Sequence, residues 1–224
     1  MEYRVQRAKV CPELGGLWDG PAWGEVEAIT VGSFRPESSN HRPVVQAKLL
    51  FDATTIYGIF LVKDKYVSCV NTGFQEPVWG DSCVEFFVKP KPDKGHFNFE
   101  MNCGGALLAY YITDVRPAKT PTGYHTAVKL TPEEGRRVRI FHSLPSRVVP
   151  ELQEETTWVN EFAIPIDLLE KHVGNLGDIP AQTWRANFYK CGDNTSHPHW
   201  ASWSPVTKLD FHLPECFGVL RFEK

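Results

Sequence analysis

Ser82-Cys83-Val84-Glu85-Phe86-Phe87-Val88 alternates by side-chain class, and His96-Phe97-Asn98-Phe99-Glu100-Met101-Asn102 does so again just downstream. Successive side chains of an extended chain point to opposite faces. Val84, Phe86 and Val88 are therefore expected to face the core, as are Phe97, Phe99 and Met101. Cys83, Glu85 and Phe87 point the other way, as do Asn98, Glu100 and Asn102. Trp184–Lys190 repeats the pattern, with Trp184, Ala186 and Phe188 opposed by Arg185, Asn187 and Tyr189. Strands with one apolar face need a second layer to bury it, so the pattern predicts packed sheets.

The rest of the chain reads the same way. Further strands are predicted at Val26–Val31, Val44–Phe51, Thr55–Lys63, Ala106–Ile112, Tyr124–Leu130, Arg136–His142, Trp158–Ile164 and Phe217–Phe222. Each is short, rich in β-branched or aromatic residues, and bounded by turn formers. Turn signals recur at Asp93-Lys94-Gly95, Gly104-Gly105, Pro121-Thr122-Gly123 and Pro132-Glu133-Glu134-Gly135. One short helix is predicted over Pro165–Val173, with Pro165 suited to its first turn and Gly174 to its stop. The expected fold is all-β: a β-sandwich or jelly roll of about ten or eleven strands with one short helix, forming a single domain over residues 1–224.

Composition narrows the function. At 224 residues, 42% hydrophobic and 12% aromatic, the chain can bury a sizeable core. The net charge of −3 comes with no basic stripe to follow phosphates, so nucleic acid is not an expected partner. Apolar runs such as Ile59–Val62 and Ala106–Ile112 are too short to span a bilayer, so no membrane partner is expected either. Met1–Arg7 lacks the apolar segment of a secretory signal, which read literally means cytoplasm. Cys11, Cys69, Cys83, Cys103, Cys191 and Cys216 form no CxxC pair and read as small residues with free thiols. A disulfide framework is the alternative, and sequence does not choose among its pairings.

The polar faces of the three alternating strands offer carboxylates, amides, a guanidinium and a phenol. Sugar hydroxyls need both donors and acceptors, so that mixture suits them, though an ordinary solvated sheet face has the same composition. Trp79 lies in Gln75–Asp81, a loop-like stretch with Pro77 and Gly80, where an indole can present a flat surface to a sugar ring. Trp18, Trp23, Trp158 and Trp184 fall in or beside strand patterns and are expected in the core. Six extended residues would hold Trp79 and Glu85 about 20 Å apart. The chain must bend near Gly80 for both to serve one site.

Trp79-Gly80-Asp81-Ser82-Cys83-Val84-Glu85-Phe86-Phe87 resembles the signature of family 9 carbohydrate-binding modules. Asp19-Gly20 followed by Trp23 is similar to the opening of that family. Trp203-Ser204-Pro205 through Pro214-Glu215-Cys216-Phe217-Gly218-Val219-Leu220 is similar to its close. Phe99-Glu100-Met101-Asn102 and Asn187-Phe188-Tyr189 fall where the family has matching strands, and the segments keep its order over nearly the whole chain.

The resemblance implies a non-catalytic β-sandwich that grips the terminal sugar of a glycan between two tryptophans, usually as an accessory to a glycoside hydrolase and in secreted or periplasmic settings. Carried over by position, Trp79 and Trp203 would be the stacking pair, forming opposite walls of one slot, with Trp200 close by. Glu85 would hydrogen-bond sugar hydroxyls, with Glu100, Asn102 and Asn187 as further candidates. Where this chain has Glu100 the family typically has an arginine, and Ser204-Pro205 replaces a more usual Asn-Asp, which marks a divergent branch. The ligand implied is a mono-, oligo- or polysaccharide. The family often carries structural calcium, for which Asp193 is the one candidate here, too few oxygens by itself.

Three other chemistries compete. Glu85 and Glu100 on neighbouring strands could act as the carboxyl pair of a retaining glycoside hydrolase, although no denser acidic cluster accompanies them. Cys191, Asp193, His197 and His199 have zinc-like spacing but no second tight pair of ligands. A haem site would need Met1 or Met101 as an axial ligand, and Met101 has core parity.

Overall fold

The computed structural model describes residues 1–117 and 124–224, so the turn expected at Pro121-Thr122-Gly123 lies outside the described residues. In chain order the first eight strands are β1 (Glu2–Arg7), β2 (Ile29–Thr30), β3 (Ser33–Phe34), β4 (Val44–Phe51), β5 (Thr55–Asp64), β6 (Val67–Cys69), β7 (Cys83–Lys89) and β8 (His96–Asn102). They are followed by β9 (Leu107–Pro117), β10 (Tyr124–Lys129), β11 (Arg139–His142), β12 (Val148–Leu152), β13 (Thr156–Pro165), β14 (Thr183–Cys191), β15 (Trp200–Ser202) and β16 (Gly218–Phe222). The helices are α1 (Pro132–Gly135) and α2 (Ile166–Val173).

One layer runs β10-β9-β8-β7-β14-β16, and the other contains β4-β5-β13-β11. Strand β1 turns the corner between them: its residues 2–5 pair with β16 and residues 6–7 with β4. The layers form a β-sandwich whose apolar faces meet in one core. Phe86 of β7 stacks on Phe162 of β13 with ring centroids 5.5 Å apart, and Phe60 of β5 packs against Phe188 of β14 at 6.0 Å. Val84, Val88, Phe97, Phe99, Met101, Trp184 and Ala186 are all in this core, as their parity predicts, and so is Trp158. Trp23 is buried in a smaller cluster, with Trp18 half-buried against it.

Most predicted strands appear within a residue or two. Val26–Val31 shrinks to Ile29–Thr30, and the strand predicted from Arg136 starts only at Arg139. Just ahead of it, Thr131 Oγ1 accepts from the Glu134 amide while Glu134 Oε2 accepts from the Thr131 amide. That capping box makes Pro132–Gly135 a helical turn instead of a loop. Helix α2 starts after Pro165 and stops at Gly174, whose φ of 75° suits glycine.

The second face of β7, β8 and β14 is not the solvated surface that polar alternation alone would give. The segment after β15 folds back over it: Phe211 stacks on Tyr189 at 4.0 Å, and Phe217 packs edge-on to Phe87. At the other end Asp81, buried two residues ahead of β7, accepts from the amides of Val70 and Asn71 and from Nδ2 of Asn71 and Asn102. Four donors converge on one buried carboxylate and fix the loop after β6 to the edge of the site. Removing it takes the acceptor from the Val70 and Asn71 backbone amides and one of two acceptors from each side-chain amide. We expect Asp81→Ala to cost about 3 kcal/mol or more, read as a lower urea midpoint with an unchanged m-value.

Candidate functional site

Register, more than sequence spacing, assembles the site. Glu85 lies directly opposite Glu100 on β8 and opposite Tyr189 on β14. Cys191 faces Cys83 on β7 and Trp200 on β15. Directly opposed residues of antiparallel strands share a face. Glu85, Glu100, Cys191 and Trp200 therefore lie on the same side of the sheet, away from the phenylalanine core.

On that side is a cleft of about 620 Å³ lined by both glutamates, Asn98, Tyr110, Asp193, Asp210, His212 and the indoles of Trp79 and Trp200, among others. At its floor, Glu85 Oε1 accepts from the Cys191 thiol at 3.1 Å and Glu100 Oε1 accepts from Asn98 Nδ2 at 2.7 Å. Oε2 of each glutamate is buried without a protein partner. Burial, then the neighbouring Cys191 and Glu100, push the Glu85 carboxyl well above its ordinary range. Burial likewise pushes Glu100 up to about 7, against the stabilising hydrogen bond from Asn98. His212, half-buried in the cleft lining, is lowered to about 3 by desolvation.

The rim is held by two loops, one before β7 and one after β14. A helical turn over Val78–Gly80 supplies the bend before β7, and Trp79 emerges from it with 42% of its surface exposed. The Trp79 and Gly80 carbonyls accept from the Asp193 and Asn194 amides at 3.2 and 2.9 Å. A Cβ on Gly80 would sit 2.5 Å from Asn194 Nδ2, so glycine permits this close approach. Asp193 Oδ1 accepts in turn from the Trp200 indole N–H at 2.8 Å. Asp193 and Asn194 thus tie both indoles to one frame.

Three expected site residues lie elsewhere. Trp203 is 4% exposed and belongs to the core, edge-on to Phe188 at 5.7 Å and packed over Gly218 where a Cβ would meet its ring at 2.4 Å. It is not a wall of the cleft, and no slot forms between it and Trp79. Asn187 is buried, with Oδ1 accepting from the Phe188 and Ser204 amides and Nδ2 donating to the Ser204 carbonyl. Asn102 is buried, donating to Asp81 and the Asn71 carbonyl and accepting from the Ala106 amide. Asn187 is bonded to backbone and Asn102 to backbone and the buried Asp81, and neither lines the cleft. The structure adds Trp200, Asn98 and Tyr110, which sequence analysis left out of the candidate set.

The zinc-like group disperses. Cys191 turns to Glu85, Asp193 to Trp200, and His197 stacks on Tyr66 at 3.6 Å. His199 Nε2 is 2.7 Å from the buried Lys190 ammonium, which is also 3.3 Å from Asp64 Oδ2. Burial would raise the Asp64 carboxyl, but Lys190 and His41 hold it below its usual range. Among the described residues, metal-like clusters are His41/Asp64/His199 and Cys83/Glu85/Cys191. Each has one carboxylate, far short of the six to eight oxygens calcium takes. The first already holds an ammonium. All six cysteines carry free thiols, four of them buried, and Met101 is fully buried in the core.

The family model for carbohydrate-binding family 9 matches residues 23–222. No curated protein matches the chain in sequence. Among solved structures, a proposed carbohydrate-binding protein from Bacteroides uniformis is 29% identical over 99% of both chains, with a TM-score of 0.84. A family 9 carbohydrate-binding module from Caldicellulosiruptor kristjanssonii in complex with glucose is 14% identical over 99% of this chain and 96% of its own, with a TM-score of 0.61. The same organism's family 9 module in complex with cellotriose is 14% identical, covers 100% and 94% of the two chains, and has a TM-score of 0.62.

Glu100 has a folded-state value near 7 against an ordinary value of 4.5, so the native state binds the proton more tightly than the unfolded chain. Its effect on stability therefore worsens as pH rises from about 4.5 through 7. Glu100→Gln, which keeps an oxygen for Asn98, should be more stable than the parent at pH 8 by on the order of 2 kcal/mol, a gap that closes toward pH 4.5. Urea midpoints of the two proteins at several pH values measure it.

Proposed function

The chain belongs to carbohydrate-binding family 9, and on that premise we propose that it binds a saccharide in the cleft above Glu85 and Glu100 and does no chemistry on it. The observation that carries this reading is the pairing of an exposed indole at the rim with two unpartnered carboxylate oxygens at the floor. A sugar ring has C–H faces that pack on an indole and hydroxyls that donate to carboxylates. Trp79 and Trp200 are the stacking surfaces in this reading, and Glu85, Glu100 and Asn98 orient the ring. The ligand class in this reading is the terminal sugar of an oligo- or polysaccharide, with the protein serving as the binding partner of a glycoside hydrolase. The polar groups of the cleft suffice for a neutral sugar, so no ion takes part in binding, and any bound calcium is structural.

One observation favours a hydrolase instead. Glu85 and Glu100 are direct cross-strand neighbours, which brings Cβ atoms to about 4.5–5.5 Å. That approaches the carboxyl separation of a retaining glycosidase, and the raised Glu100 suits an acid. Against it, both carboxyls sit side by side on the floor, whereas a hydrolase flanks the scissile bond with its pair. Incubation with aryl glycosides and polysaccharides should release no reducing ends; turnover abolished by Glu85→Gln would favour the hydrolase.

Binding is tested by three alanine variants. Trp79→Ala is expected to lose about 2–4 kcal/mol of saccharide affinity, a 30-fold or greater rise in Kd, with its melting temperature nearly unchanged. Trp200→Ala should also weaken binding. Trp203→Ala should instead lose about 3–5 kcal/mol of stability, as a core truncation. Isothermal titration with cellotriose, paired with thermal melts, separates the two effects. Undiminished affinity in both Trp79→Ala and Trp200→Ala would overturn the reading.

A further inference from the structure

Resting on that reading, we propose that the preferred ligand is an amino sugar, a saccharide with a free, protonated amine seated between Glu85 and Glu100. Four carboxylates line the cleft, those of Glu85, Glu100, Asp193 and Asp210, and among the described residues no lysine or arginine does. Two of the four are already engaged. Asp210 pairs with Lys208 at 3.3 Å, and Asp193 holds the Trp200 indole. Glu85 and Glu100 remain, opposite each other, only 2% and 5% exposed, and each with one oxygen lacking a partner.

Nearby cations do not reach that pair. The Lys190 ammonium is on the far side of β14, held by Asp64 and His199, while its chain neighbours Tyr189 and Cys191 face the cleft side. Lys129 lies over the Tyr110 ring, 5.7 Å from its centroid. Desolvation in the cleft lining lowers the His212 imidazole to about 3, which disfavours its cationic form.

A neutral hydroxyl brings one proton to this floor and does nothing to favour the ionised form of either carboxyl. An ammonium brings three donors and a positive charge, so it can bond both free oxygens at once and take the place of the protons these carboxyls otherwise hold. A buried charge gains most from being paired where water is excluded. The same lining disfavours a uronic acid, whose carboxylate would add a further negative charge.

Three trimers with the same β-1,4 backbone test the inference: one with free amines, its N-acetylated counterpart, and cellotriose. Titration at about pH 6.5 in EDTA keeps the amine protonated and excludes a bridging metal ion. The amine trimer is expected to bind about tenfold or more tightly than the other two. That advantage should fall to about threefold or less in Glu85→Gln and Glu100→Gln proteins that melt normally. Equal affinity for all three trimers would overturn the amino-sugar inference while leaving carbohydrate binding intact, as would an amine advantage that persists in both variants. If none of the three bound, the carbohydrate reading itself would fail and this inference with it.

Discussion

Glu85 and Glu100 lie opposite each other on neighbouring strands, each with one oxygen bonded and one without a protein partner. Burying such a pair is costly, and the rest of the site follows from how the fold sustains it. The opposite sides of the same strands carry Phe86 and Phe99, which anchor β7 and β8 in the core. The strands therefore cannot shift register by one residue to expose the carboxyls without losing that packing. The cost is further reduced by the Cys191 thiol and the Asn98 amide, and by a raised affinity for protons. What remains is a preformed acceptor surface whose unmet hydrogen bonds a ligand can satisfy.

The two indoles at the rim are positioned by a different device. Trp79 is brought back over β7 by the turn at Val78–Gly80, and its carbonyl is tied to the loop that follows β14. Asp193 in that loop also bonds the Trp200 ring. A change in either loop would be felt by both stacking surfaces. On the inner side of β14, Lys190 fills the space among His41, Asp64 and His199 with its own ammonium. The two faces of one strand thus carry opposite electrostatic solutions: an internal cation paired with Asp64 on one side, two carboxyls with a raised affinity for protons on the other.

Much of this was legible in the sequence. Strict alternation in β7, β8 and β14 identified the core face residue by residue, and Gly80 marked the bend that lets Trp79 and Glu85 serve one cleft. The errors came from information that alternation does not contain. Asn102 and Asn187 have the parity of the site, but whether an outward amide meets ligand or backbone depends on which loop folds over it. Trp200 and Trp203 are three apart, so a strand passing through both must send them to opposite faces. Choosing between them requires the pairing of Trp200 with Cys191, a contact set by register between β15 and β14. Family position alone favoured Trp203, which instead plugs the core over Gly218.

The central claim is that saccharide enters the cleft between Trp79 and Trp200, above the glutamate pair. Indole N–H resonances of the seven tryptophans, followed by NMR as a saccharide is titrated in, report it most directly. The account predicts that the Trp79 and Trp200 signals shift together and saturate at one Kd, while those of the buried Trp158, Trp184 and Trp203 stay in place. Saturable binding that leaves Trp79 and Trp200 unmoved would contradict it, because the sugar would then occupy another surface.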